Sequence, residues 1–348
     1  MTRIKNFLKV GFLCIIITVF ISPSYLFGEV IFQDNFDNYP NWSSSTQTGD
    51  NETWPDTMQT VLGGPSSTAK APCWYSYRTA GNAHTTGDPL YEVDGSIYHG
   101  NSGKSFQYNI ENSSYMNGGG MDLYLGGGST GGYEEIYIRV NIKLEDNFDF
   151  DNLGGNFIKL FRLYTGVDPD NDHFAPSGTY ATNADYNANP KIKRSMNCYL
   201  DIINDGNHDY RIKLSYFLGQ LSGVNYIEII KYFPASTFNF KNYLGEWLFC
   251  EWYVKLNTVG QSDGEMKIWV IPESAIRTFD QGNPTGTWTN LEIRSTADRK
   301  FNTVIMADNM SGQWERPVSE QTIAWDNLVI STTLVGPMPL PPSNLRIK

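Results

Sequence analysis

Residues 247–270, WLFCEWYVKLNTVGQSDGEMKIWV, decide the fold of this chain. They read as two strands joined by a turn that contains Asp263 and Gly264. In the first strand Leu248, Cys250, Trp252, Val254 and Leu256 alternate with Trp247, Phe249, Glu251, Tyr253 and Lys255. A period of two sends these sets to opposite sides of a sheet. The wholly apolar side requires a second sheet to cover it. The side that mixes rings with charge suits a polar ligand with flat surfaces.

The same alternation recurs upstream. In 133–144, YEEIYIRVNIKL, one face carries Ile136, Ile138, Val140, Ile142 and Leu144, and the other Glu135, Tyr137, Arg139, Asn141 and Lys143. Further strands are expected at 29–37, 104–110, 121–125, 156–164, 198–203, 210–217, 303–307 and 322–331, with one short helix at 272–279. Residues 38–103 are rich in Ser, Thr, Gly and Pro and read as long loops, and 168–190 as a polar insertion. Strands at this spacing without βαβ alternation indicate an all-β, antiparallel two-sheet sandwich. A single domain over 29–333 is too long for an immunoglobulin-type unit, so a jelly roll is expected. Residues 334–348, LVGPMPLPPSNLRIK, form a Pro-rich tail that reads as an extended linker or free end.

The first 28 residues have the layout of a secretory signal peptide. Arg3, Lys5 and Lys9 precede a nearly unbroken apolar run, and Gly28 is a plausible cleavage point. The run is short against the ~20 residues a spanning helix needs. The expectation is a secreted monomer, extracellular or periplasmic, with no membrane attachment after cleavage. Losing the three basic residues takes the formal net charge from −11 to −14. That field disfavours nucleic acid and anionic membranes, and a polyanionic substrate unless a local basic groove overrides it. Cys73, Cys198 and Cys250 allow at most one disulfide, and no Cys/His metal spacing exists.

EWLFCEWYVKLNTVGQSDGEMKIWV (246–270) resembles the strand pair of concanavalin A-like lectin/glucanase jelly rolls. YEEIYIRVNIKLEDNFDF followed by NFIKLFRL is similar to the central strands of their polysaccharide-lyase-like, laminin G-like members. IFQDNFD, GNSGKSFQYN and TIAWDNLVIS fit the same layout, so the resemblance spans 31–331. It implies a concanavalin A-like jelly roll that engages a polysaccharide.

Four chemistries then compete. A carbohydrate groove would use Tyr137, Arg139, Trp247, Tyr253, Lys255 and Trp269, since rings stack on sugar faces and polar neighbours bind hydroxyls. A lyase acting on a uronate polymer by β-elimination would need a base and a cation to neutralise the carboxylate. Tyr253 with Arg139 or Lys255 could serve, as could Tyr199 with Lys213; His99 and His173 are alternative bases. Hydrolysis ranks lower, because the Glu-x-Asp-x-x-Glu strand of the glucanases is absent. A non-catalytic surface or adhesion module is the remaining class. A structural Ca2+ would use Asp34, Asp37 and Asp326 near the two terminal strands, and the resemblance implies such a site too. Asp168, Asp170 and Asp172 have only part of a calcium-loop spacing.

Overall fold

The computed structural model describes residues 29–44, 72–79, 91–110, 119–126, 132–149, 157–164, 197–204, 209–218, 227–294, 297, 300–307, 310–311 and 321–337. Residues 1–28, where a signal peptide is expected, His173, the 168–172 aspartates and the tail beyond 337 lie outside these residues.

Among the described residues, seventeen strands follow one another in chain order. The first six are β1 (Val30–Asp34), β2 (Trp42–Ser43), β3 (Cys73–Thr79), β4 (Tyr91–Asp94), β5 (Ser105–Ile110) and β6 (Gly119–Tyr124). Then come β7 (Glu135–Leu144), β8 (Phe157–Tyr164), β9 (Asn197–Asn204), β10 (Tyr210–Leu218) and β11 (Ile227–Tyr232). The last are β12 (Trp247–Lys255), β13 (Gly264–Pro272), β14 (Gly286–Leu291), β15 (Thr303–Met306), β16 (Met310–Ser311) and β17 (Gln321–Ser331). A 3-10 helix at Glu273–Thr278 takes the place expected for a short helix. The strands β2, β3 and β4 arise within 38–103, which reads as loop. They lie toward sheet edges, and β2 and β4, of two and four residues, are too short to show a period.

The strands form two antiparallel sheets, a β-sandwich. Sheet A runs β14-β13-β12-β7-β17-β5-β4-β2, with β1 also paired to β17. Sheet B runs β11-β10-β9-β8-β15-β6-β3, with β16 paired to β8. The hairpin β12–β13 places Trp252 opposite Ile268 and Ile138, so the predicted apolar set faces inward as a cross-strand block. Trp252, Trp325, Tyr91, Tyr108 and Phe106 are fully buried between the sheets. Cys198 and Cys250 are free thiols in this core, and burial pushes both thiols up. They are structural hydrophobes rather than nucleophiles. No helix among the described residues is long and apolar enough to cross a membrane.

Two irregularities matter for function. In β8 the register slips between Lys159 and Phe161, so Leu160 and Phe161 both enter the core. That bulge leaves Lys159 and Arg162, three residues apart, on the same outward face. In β17 the register slips between Asp326 and Val329, with Asn327 at φ 53°. Asparagine tolerates this left-handed backbone, and the bulge re-aims its side chain outward.

Candidate functional site

The six residues expected to form a groove do share the outer face of sheet A. Glu251 lies opposite Arg139 and Trp269, Tyr253 opposite Tyr137 and Lys267, and Trp247 opposite Lys143. That face is covered, however. Phe249, Tyr253 and Trp269 form a small second core with Tyr137, Ile276, Phe279 and Leu334. Only 8% of Trp247, 5% of Tyr253, 4% of Trp269 and 1% of Arg139 is exposed. The cover comes from the Glu273–Thr278 turn and from residues 334–337, which lie against the sheet rather than extending away as a linker. An open stacking platform over these rings is therefore ruled out in this conformation.

The catalytic trio does not converge either. The Tyr253 hydroxyl donates to Glu135 Oε1 at 3.0 Å, while the Arg139 guanidinium donates to the Asn327 carbonyl at 2.9 Å. Lys255 is exposed at the strand end, opposite Glu135 and Glu265. Burial and the Glu135 carboxylate push the Tyr253 phenol well above its ordinary range. A phenol serving as a base needs the opposite shift. Tyr253 is a structural residue of the covered face.

The three aspartates expected to hold calcium are occupied by donors. Asp34 receives Phe36 N at 2.8 Å, Tyr39 Oη at 2.6 Å and Trp74 Nε1 at 2.8 Å. Asp37 receives Asn35 Nδ2 and Lys104 N, both at 2.8 Å. Asp326 receives His99 N at 3.0 Å and Asn327 N at 2.6 Å. Among the described residues no three His, Cys, Asp or Glu side chains come together as a metal cage. Every oxygen of the three carboxylates already accepts an N–H or O–H. These hydrogen bonds tie β1, β17 and their loops together, and burial with the neighbouring charges of Asp37 and Asp34 pushes Asp326 up to about 7.

A different set of groups gathers on the outer face of sheet B. Strand register puts Lys159, Asp201, Lys213 and Tyr232 in one row across β8, β9, β10 and β11. The adjacent row holds Asp122, Ile305, Arg162, Tyr199, Ser215 and Ile230. The Lys213 ammonium lies 2.9 Å from Asp201 Oδ2, 3.0 Å from Glu228 Oε1 and 3.9 Å from the Phe157 ring centroid. Burial disfavours that cation, but the two carboxylates outweigh it and hold the lysine above its ordinary range. The Arg162 guanidinium sits 4.8 Å from the Tyr199 ring centroid, and Lys159 Nζ sits 5.7 Å from the same ring. At the edge of the sheet Tyr232 is 47% exposed and Ile230 36%.

Of the alternative pairings read in the sequence, Tyr199 and Lys213 thus share one face. Arg162 and Lys159, which flank Tyr199, were missed. Period-two alternation sends residues 159 and 162 to opposite faces, and only the bulge brings them together. The face carries cations with a phenol between them, but Arg162 is only 6% exposed and Tyr199 8%, as covered as the rings of sheet A, and the exposed surface lies at the edge, on Ile230 and Tyr232.

No family model matches this chain, and no curated protein matches it at the level of sequence. Solved structures do match in fold. The chain is similar to the PL-14 alginate lyase from Aplysia kurodai, with 16% identity over 85% of this chain and 100% of that one and a TM-score of 0.51. It is likewise similar to alginate lyase Aly36B, with 11% identity over 86% of this chain and 95% of that one and a TM-score of 0.50. Identities this low show a shared sandwich architecture and nothing finer.

Proposed function

We propose that this chain is an exported protein, acting as a monomer, that engages a uronate-bearing polysaccharide on the outer face of sheet B. The observation that carries the reading is the Arg162–Tyr199–Lys159 cluster: two cations flank one phenol on a single sheet face. These two cations stand beside one phenol on a face that also carries Asp122, Asp201 and Glu228, the last two paired with Lys213. The reading also accords with a fold shared with alginate lyases. Tyr232, exposed at the edge of the same face, supplies a ring on which a sugar can stack.

A second reading, cleavage by β-elimination, is favoured by the position of Tyr199. Arg162 and Lys159 neutralise the uronate carboxylate, which acidifies the proton on the neighbouring carbon. Tyr199, as the phenolate, takes that proton and becomes the phenol, a carbon–carbon double bond forms, and the glycosidic oxygen leaves with a proton supplied by solvent or by that phenol, which returns to the phenolate. No metal takes part in this scheme.

Affinity gel electrophoresis on gels containing alginate, other uronate polymers and neutral glucans tests binding. Retardation confined to uronate polymers, and abolished by Arg162→Ala, is expected. Equal mobility on every gel would sink the proposal. Ultraviolet absorbance of unsaturated uronates, followed on the same polymers, separates lyase from binder.

A further inference from the structure

Among the described residues, sheet A ends in β14 and β2, and sheet B in β11 and β3. Three of these edges are short or bulged. β2 is two residues long, β3 bulges between Trp74 and Ser76, and β14 bulges at Asn290, whose φ is 60°. Such devices stop an edge from adding a strand. β11, with the sequence IEIIKY, has none of them. It pairs with β10 in unbroken register from Ile227 to Tyr232 and holds no proline. Ile230 is 36% exposed and Tyr232 47%, so two large apolar side chains stand open two residues apart on one edge strand.

Neither charge of β11 guards the edge. A lysine there normally would, by pointing outward. Lys231 turns inward instead: its Nζ donates to the Thr287 carbonyl of β14 at 2.7 Å and lies 5.2 Å from the Phe233 ring centroid. Glu228 Oε1 lies 3.0 Å from Lys213 Nζ on the neighbouring strand. The ladder shows which backbone groups are left over. Phe233 N donates to the Ile212 carbonyl at 3.0 Å. Alternation then directs Lys231 and Ile229 to β10 as well, and turns the N–H and C=O groups of Glu228, Ile230 and Tyr232 outward. These are the groups a further strand would take.

We infer that β11 is a pairing edge for a second copy of this chain, antiparallel about a two-fold axis at Ile230. Geometry fixes the register. Residues opposite each other in a sheet share a face, and outward-bonding residues must meet outward-bonding ones. Setting Ile230 opposite Ile230 of the second copy satisfies both rules and engages all three outward residues, with Glu228 opposite that copy's Tyr232. Each pair exchanges both N–H···O bonds, the isoleucines cover one another, and the phenol hydroxyl donates to the carboxylate. A second copy supplies this match by symmetry. One six-residue strand per copy falls short of the ~1,200 Å² at which stable interfaces begin. Association is therefore weak: each copy acts alone when dilute, and the pair forms as copies are concentrated.

Sedimentation velocity of the full chain, from about 10 μM to about 1 mM, tests this. A reversible rise in mean mass toward that of a dimer is expected. Ile230→Lys, which sets two ammonium groups face to face across the axis, should weaken the association at least tenfold. Ile230→Cys tests the register. At a Cα separation of ~5.5 Å the two new thiols are within disulfide reach, whereas Cys198 and Cys250 are buried. Under mild oxidation Ile230→Cys should form covalent dimers at least tenfold faster than Val259→Cys, a control site of similar exposure (41%) in the β12–β13 turn. A mass constant over the whole range, undiminished association of Ile230→Lys, or equal cross-linking of the two cysteine variants would overturn the inference. Unfolding curves matching the wild type establish that each variant is folded. No sugar is present, so failure here is distinct from failure of the uronate proposal.

Discussion

The carboxylate of Glu251 receives the backbone N–H of Val335 at 2.8 Å, and its other oxygen receives the next N–H, that of Gly336, at 2.8 Å. Glu251 is fully buried on the outer face of β12, and the chain it holds is the segment that follows β17. Leu334 inserts beside Phe249, Tyr253 and Trp269 in the small second core. Local charge and local packing therefore act together: the carboxylate fixes the strap, and the strap buries the rings.

Replacing Glu251 by alanine removes both acceptors and takes away one counter-charge of Arg139. A buried charge that loses a partner typically costs about 3–5 kcal/mol. Glu251→Gln keeps one acceptor oxygen and should cost less, about 1–3 kcal/mol. Urea unfolding measures both. Hydrogen exchange at Val335 and Gly336 should accelerate in each variant by more than the global loss of stability accounts for. Unchanged protection at those two amides would mean that the carboxylate does not hold the strap.

The same carboxylate predicts a pH dependence. Burial pushes Glu251 from 4.5 up to about 7, although the Val335 and Gly336 amides and Arg139 pull it down. Its folded pKa lies above the unfolded one, so the folded state binds the extra proton between these values. Its contribution to stability is fully present below about pH 4.5 and is lost as pH rises through about 7. The loss is on the order of 3 kcal/mol at most. Urea midpoints measured from mildly acid to mildly alkaline pH should therefore fall, and Glu251→Gln should flatten that part of the curve. An equal slope in the variant would assign the effect to other groups.

Lys213 and Asp201 offer a test of the face on sheet B. Both are almost fully buried, and they lie 2.9 Å apart. Lys213→Met leaves Asp201 without its cation and should cost about 3–5 kcal/mol. The double change Lys213→Met with Asp201→Leu removes both charges and should recover most of that loss. Chemical denaturation of the three variants gives the coupling directly. A double variant as unstable as the sum of the singles would show that the pair contributes nothing as a pair.

Residues 247–270 predicted the sandwich because both faces of β12 were written in one unbroken alternation. Leu248, Cys250, Trp252 and Val254 face the core as the period requires. The opposite face was legible as a set but not as an environment. Nothing local in residues 334–337 indicates that they fold back over Trp269, because that contact joins positions more than sixty residues apart and depends on a single buried carboxylate. The sheet B cluster was hidden for another reason. Arg162 becomes a neighbour of Lys159 only through a bulge in β8, and of Tyr199 only through the register of β8 on β9. Bulge and register are decided by pairing across the sheet, and a linear period carries neither.

Tyr199 separates binding from chemistry most cleanly. Its ring lies against Arg162 and Lys159, so Tyr199→Phe removes the hydroxyl and keeps the surface. If the phenol moves the proton, this variant should hold uronate polymer within about threefold of the wild type while turnover falls about 10²- to 10⁴-fold. Arg162→Ala should behave differently, because its guanidinium meets the carboxylate in both the bound and the reacting state. Affinity and turnover should fall together, and the binding that remains should depend less on salt. Initial rates of unsaturated-uronate formation over a range of polymer concentrations distinguish the two patterns. A Tyr199→Phe variant with unchanged kcat would remove the phenol from the reaction and leave sheet B as a binding face alone.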